Sequence, residues 1–183
     1  MNLHFHHRSA AERGKAAFTL IELLTVIAII AILVTILWAA VRKAINDAKE
    51  KFAAAEMREI VNASVAYLQQ YEKLPVPEGH HGGSDQRRPY SGASATPVYQ
   101  ILAGDNPLEK VFLDRQITGP LLDPWGTSYI LWFDLNYSGD TTYVNTPSDN
   151  NTVSGARVVV RSYGRNRTRD DADYKTSDDI LVY

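Results

Sequence analysis

The chain has 183 residues, with 19 Lys and Arg against 21 Asp and Glu, which gives a formal net charge of −2 at pH 7. This near balance argues against a nucleic-acid-binding protein, which usually carries a strongly basic surface. The sequence contains no cysteine, so no disulfide holds its folded part together.

The N-terminal quarter consists of a short polar leader, residues 1–17, and a long apolar segment, residues 18–41. The stretch Leu23–Val41 holds nineteen residues without a charge, close to the about 20 needed for a transmembrane helix. A secretory signal peptide has a shorter apolar region, of about 7–15 residues. A plain single-span anchor is an alternative. The carboxylate of Glu22 lies at the start of the segment. Because a charged side chain is costly in hydrocarbon, its presence there predicts a functional role.

The segment from Phe18 to Leu24, with the sequence FTLIELL, resembles the class III signal of type IV pilins and of the pseudopilins of type II secretion. In that family a prepilin peptidase cuts before the Phe and methylates the new amine. The resemblance implies cleavage between Ala17 and Phe18, which makes Glu22 the fifth mature residue. The family usually has Gly in the place of Ala17, and cleavage after Gly14 would instead make Thr19 fifth.

The resemblance gives Glu22 a role in assembly. In a helical filament, the free amine of one subunit would meet Glu22 of its neighbour and fix the axial register. The alternative is that Glu22 lies at headgroup depth and merely reaches toward water.

A single long helix is predicted from residue 18 to residue 72. No Pro or Gly occurs between Arg42 and Glu72, and small or apolar residues recur at three- and four-residue steps, which predicts one buried face. These residues are Ala48, Phe52, Ala55, Met57, Ile60, Ser64, Leu68 and Tyr71. The prolines at 75 and 77 end the helix.

Residues 78–122 are predicted to form a mixed connector, with a short helix over 97–103 and a short strand or turn over 111–117. The adjacent His80 and His81 lie in a Gly-rich stretch without zinc-ligand spacing, so a solvated loop is expected there. The C-terminal third is rich in β-branched and aromatic residues and predicts a meander of four strands, over 128–135, 141–144, 157–163 and 180–183.

These elements predict an α+β, pilin-like fold: a long N-terminal helix, transmembrane in its first half, packed on a small C-terminal antiparallel β-sheet, with a connecting αβ-loop. The predicted organisation is a cleaved leader at 1–17, a transmembrane and assembly helix at 18–41, and an extracytoplasmic domain at 42–183.

Two C-terminal features favour a secretion pseudopilin over a pilus subunit: the motif from Asp123 to Gly126 and the lack of a C-terminal Cys pair. The sequence Asp123-Pro124-Trp125-Gly126 resembles a signature of the major pseudopilin, in which the Trp packs between helix and sheet and the Gly permits a tight turn. That subfamily closes its last loop on calcium, and the resemblance places the Tyr163 carbonyl, Asn166, Asp178 and Asp179 at the ligand positions. Asn166 stands where the subfamily has an Asp, which removes one negative charge from the set. The alternative is a surface network of ion pairs between the loop's Arg and Asp residues, namely Arg165, Arg167 and Arg169 with Asp170, Asp171, Asp178 and Asp179.

No catalytic motif is found, neither G-x-S-x-G nor H-E-x-x-H nor a P-loop, so the chain is not expected to be an enzyme. The resemblance predicts a structural subunit of a type II secretion-like pseudopilus in the bacterial inner membrane, with its C-terminal domain in the periplasm. Its expected partners are further copies of itself, other pseudopilins, prepilin peptidase and an inner-membrane assembly platform, but not nucleic acid. The alternatives are a type IV pilus subunit for adhesion or motility, a membrane-anchored calcium-dependent binding module, and an anchored hydrolase.

Overall fold

The computed structural model describes residues 18–80, 89–146, 149–168 and 178–183. The chain divides into two compact units, Met1–Lys43 and Ala44–Tyr183. Helix α1, Leu20–Tyr71, is 52 residues long and contributes to both units. The predicted helix over 18–72 therefore agrees with the structure to within two residues at either end, whereas the predicted leader lies outside the described residues.

In the first unit, the described residues of α1 form an apolar helix with exposed side chains. Every residue from 18 to 45 is exposed, including Ile27 at 57% and Leu37 at 63%. Among the described helices, α1 is the one that is long and apolar enough to cross a membrane, by length and composition. An apolar surface of this extent on a soluble protein marks a contact with lipid or with other chains.

The second unit contains a short helix, a four-stranded sheet and a hairpin. The elements after α1 are β1 (Tyr90–Ser91), α2 (Thr96–Leu102), β2 (Ile130–Phe133), β3 (Asp140–Thr146), β4 (Asp149–Ser154), β5 (Val158–Ser162) and β6 (Ile180–Val182). The antiparallel sheet has the strand order β1-β2-β5-β6, and β3 and β4 form a separate two-stranded sheet.

The α+β arrangement of a long N-terminal helix and a C-terminal antiparallel sheet is confirmed, but the predicted meander is wrong. Strand β2 pairs with β5, through Leu131 opposite Val160, and not with β3. Strands β1 and β4 were not predicted from the sequence. Strand β1 has only two residues, and β4 contains Asn150 and Asn151, which are poor strand formers. Residues 111–117 form bends without a strand.

The core of the second unit lies between the C-terminal part of α1, the inner face of the sheet and α2. The helix contributes Ala53, Met57, Ile60, Ala63, Ser64 and Tyr67 to its buried face. The other layer is formed by Leu131, Phe133, Val158 and Val160 of the sheet and by Val98, Tyr99 and Leu102 of α2. The predicted helical face is therefore wrong in its first part, because Phe52 is 57% exposed and Ala53 is buried in its place.

The outer face of the sheet is covered as well. Ile130 and Trp132 of β2 form a second cluster with Val159 of β5, and Tyr143 and Val153 of the β3–β4 hairpin pack on it. All residues of β2 and β5 are buried. Burial on both faces explains why β2 is a continuous apolar run and why β5 begins with three valines, without the polar alternation of a sheet with one wet face.

A buried carboxylate connects α1 to the rest of the second unit. Glu56, 8% exposed, accepts hydrogen bonds at 2.6 Å from Nη1 of Arg115 and at 2.6 Å from Oη of Tyr129. Burial and this carboxylate together raise the pKa of Tyr129 far above its usual value, so the phenol stays a donor. The contact joins the helix both to the connector and to the residue that precedes β2.

We expect Glu56→Ala to lower the free energy of unfolding by about 1.5–3 kcal/mol, because two donors lose a charged acceptor inside the protein. Glu59→Ala is the matched control: Glu59 also contacts Arg115, at 3.1 Å, but its side chain is 44% exposed. Glu59→Ala should lower the free energy of unfolding by at most about 1 kcal/mol. Denaturant unfolding of the detergent-solubilised chain, followed by near-ultraviolet circular dichroism, measures both, and equal losses would contradict the assignment.

Candidate functional site

The start of α1 is closed by a reciprocal pair of side chains. Oε2 of Glu22 accepts hydrogen bonds from the backbone N and the Oγ1 of Thr19, both at 2.8 Å. The backbone N of Glu22 donates in return to Oγ1 of Thr19 at 3.3 Å. Because α1 begins at Leu20, Thr19 is the N-cap residue and Glu22 the third helical residue, which is the geometry of a capping box.

This arrangement fixes where the carboxylate lies. It is held beside the first turn of the helix, where unpaired backbone N–H groups and the helix dipole favour a negative charge. Phe18, which precedes the cap, is 83% exposed, and Ala17 lies outside the described residues. The predicted assembly residue is therefore positioned on a helix terminus, immediately after the predicted cleavage point.

The Asp123-to-Gly126 motif forms a tight turn around one carboxylate. Oδ1 of Asp123 accepts from the backbone N of Trp125 at 3.0 Å and of Thr127 at 2.8 Å. Gly126 has a φ of +87°, a left-handed conformation that an L side chain rarely adopts. Pro124 is half-buried in the turn and Trp125 is buried.

The other oxygen of the same carboxylate reaches the end of β5, where the C-terminal loop, residues 163–179, begins. Oδ2 of Asp123 accepts a hydrogen bond from Oγ of Ser162 at 2.6 Å, and this Oγ accepts from the backbone N of Gly164 at 3.1 Å. A Cβ on Gly164 would lie 2.8 Å from the backbone carbon of Asp178, so this position requires glycine. Through Ser162, the motif thus helps to position Gly164 at the start of the C-terminal loop. Asp178, at the other end of that loop, lies directly against Gly164.

The structure brings the predicted calcium ligands to one end of the sheet, where one side-chain oxygen each of Asn166, Asp178 and Asp179 contacts a protein donor. The backbone N of Asn166 donates to Oδ2 of Asp178 at 2.7 Å, and Oδ1 of Asn166 accepts from the backbone N of Thr168 at 2.7 Å. Asp179 forms an ion pair with Arg161. Tyr163 is half-buried, and its ring lies 5.5 Å from the Arg161 guanidinium carbon.

Within the described part of the chain, no group of three or more His, Cys, Asp or Glu side chains is placed to hold a metal ion. Asp170, Asp171 and Arg169 lie outside the described residues. His80, also considered for metal, has its Nδ1 2.8 Å from Oη of Tyr90; its neighbour His81 is not described.

The sequence missed two residues of this region, Arg161 and Ser162. Both lie at the end of β5, directly after its three valines, and both are buried. A charged residue directly after three valines is the signal that could have identified Arg161, since a buried guanidinium requires an acidic partner.

The comparison with protein families finds one match, to the family described as Prokaryotic N-terminal methylation motif, over residues 13–38. No curated protein and no solved structure matches the chain. The matched range contains Ala17, Phe18 and Glu22 and confirms the N-terminal methylation motif typical of type IV pilins and pseudopilins. Such proteins are structural and non-enzymatic, in agreement with the expectation that this chain is not an enzyme. The major-pseudopilin assignment stays a prediction.

We expect Asp123→Ala to lower the free energy of unfolding by about 1.5–3 kcal/mol, since two backbone N–H groups and Oγ of Ser162 lose a charged acceptor. Asp114→Ala removes the same charge from an exposed position and should change stability by less than about 0.5 kcal/mol. Chemical denaturation of both variants tests this, and an Asp123→Ala chain as stable as Asp114→Ala would show that the turn does not depend on the carboxylate.

Proposed function

We propose that this chain is a membrane-anchored prepilin that becomes a structural subunit of a type II secretion-like pseudopilus. Prepilin peptidase cuts it before Phe18 and methylates the new amine, and an inner-membrane platform then assembles it with copies of itself and other pseudopilins. The folded domain lies in the periplasm. Growth of the resulting short helical fibre promotes protein export.

The observation that carries this proposal is the bare apolar helix at the N-terminus, which coincides with the methylation motif. Residues 18–45 are all exposed, and Glu22 is the one charged residue between Phe18 and Val41. Such a surface needs lipid before assembly and sister helices afterwards, because both remove it from water.

Glu22 supplies the electrostatic part of assembly. An ionised carboxylate near the centre of a bilayer costs on the order of 2.5–3.5 kcal/mol on insertion scales. In this chain the carboxylate is already held by Thr19 at the helix start, so its direction is fixed before assembly. Cleavage creates an amine at Phe18, four residues away, and the amine of a neighbouring subunit would offset the charge in the fibre.

Two features favour a secretion pseudopilus over a type IV pilus. The first is the turn from Asp123 to Gly126, whose sequence resembles that of major pseudopilins and whose carboxylate anchors the C-terminal loop. The second is the absence of cysteine from the chain, so that no disulfide closes that loop. A pilus subunit for adhesion or motility is the second candidate and shares the N-terminal motif.

Mass spectrometry of the protein from native membranes tests the processing step. We expect a mature chain that begins at Phe18 and carries one methyl group on its amine. Cleavage after Gly14 would give a chain that is three residues longer and begins at Lys15. Recovery of the uncut precursor as the assembled form would contradict the proposal.

Substitutions of Glu22 separate its charge from its capping role. Glu22→Gln retains an acceptor for the Thr19 donors, since Gln also serves in capping boxes, but it cannot pair ionically with an amine. We expect both Glu22→Ala and Glu22→Gln to abolish fibres, as measured by electron microscopy and by the sheared fraction. Normal fibres from Glu22→Gln with none from Glu22→Ala would assign the residue to capping alone.

A further inference from the structure

Arg161 is a charged side chain in the interior of the second unit. The residue lies in β5, is 3% exposed, and its side chain and that of Asp179 are each 4% exposed in their ion pair. A buried guanidinium is unfavourable unless a carboxylate and further hydrogen bonds compensate it. Pairing of β5 with β6 therefore depends on this ion pair, because the pair compensates the buried charge of Arg161.

Strand pairing brings the two residues together across a long interval of sequence. In the antiparallel ladder of β5 and β6, Ser162 is opposite Ile180 and Arg161 is opposite Leu181. Asp179 immediately precedes Ile180, so its side chain lies at the end of the ladder, beside Arg161. The ring of Tyr163 lies over the guanidinium, with 5.5 Å between the ring centroid and the guanidinium carbon.

The neighbouring oxygens of the loop are also bound by protein donors. The carboxylate of Asp178 accepts from the backbone N of Asn166 at 2.7 Å, and the backbone of Asp178 packs directly against Gly164. Three contacts thus join the two ends of the loop: the hydrogen bond between Asn166 and Asp178, the close approach of Gly164 and Asp178, and the buried ion pair of Asp179 with Arg161 of β5.

We infer that the Arg161 guanidinium takes the place of the calcium ion that the sequence resemblance implies at this loop. A calcium ion binds carboxylate oxygens at about 2.3–2.6 Å and needs six to eight ligands. Next to Asp179 it would stand against a buried positive charge, which disfavours it strongly in a low-dielectric interior. Closure of the C-terminal loop is accordingly independent of calcium, with Asp179 held by an internal cation.

This assignment explains why Asn166 is acceptable where the subfamily has an acid. With a monovalent guanidinium as the central cation, fewer negative charges are needed than for a divalent ion. Arg165 and Arg167, the cations that the sequence suggested for an ion-pair network, are exposed, and among the described residues neither forms an ion pair.

The test is thermal unfolding of the full-length chain in detergent, with a chelator or with millimolar calcium. We expect the Tm of the natural sequence to be the same in both, within about 1 °C. A rise in Tm with calcium would overturn the inference. This comparison needs no variant, so it decides the question even if substitutions of Arg161 prevent folding.

Two variants test whether Arg161 occupies the place of a cation. Arg161→Gln in chelator should lower Tm by roughly 10 °C, because Asp179 is left buried without its partner, and calcium should restore part of the loss. Arg165→Gln removes the same charge from an exposed position just after β5 and should show neither effect. A folded Arg161→Gln chain whose Tm does not respond to calcium would overturn the assignment. None of these outcomes depends on fibre assembly.

Discussion

The central constraint on this molecule is that α1 serves two different environments with one continuous helix. Its first part is apolar and exposed at every residue from 23 to 41, whereas its second part has one buried face, through Met57 and Ile60, and one wet face. A helix that is apolar all round is stable only inside a membrane or among other helices. The exposed first part of α1 therefore requires lipid or other helices to remove its side chains from water.

The second unit, which has no disulfide, is fastened by buried acids. Glu56 joins α1 to the connector and Asp123 joins a turn to β5. Asp134, fully buried, accepts from the backbone N of Gly139 at 2.8 Å and pairs with Arg157, and Asp179 holds the last loop through Arg161. Each acid connects segments that are distant in the sequence, and each accepts from protein donors, as burial in a low-dielectric interior requires.

The sequence predicted what depends on local pattern and missed what depends on long-range pairing. The lack of Pro and Gly located α1, and the Phe18-to-Glu22 spacing located the methylation motif, because both signals lie within a few residues. The first part of the buried helical face was not predictable, since Phe52, Ala53 and Ala55 are all apolar and only tertiary packing decides which of them is buried. The partner of Asp179 was not predictable either. An arginine in a strand usually faces solvent, and the pairing of β5 with β6 that brings Arg161 next to Asp179 is not visible in the sequence.

The two outer strands of the sheet, β1 and β6, have only two and three residues. Short borders of this kind offer few open backbone groups to a foreign strand and therefore discourage amyloid-like stacking. In the proposed fibre, where many identical domains would be held side by side at high local concentration, short edge strands would disfavour sheet-to-sheet association between subunits and leave the helices as the assembly surface.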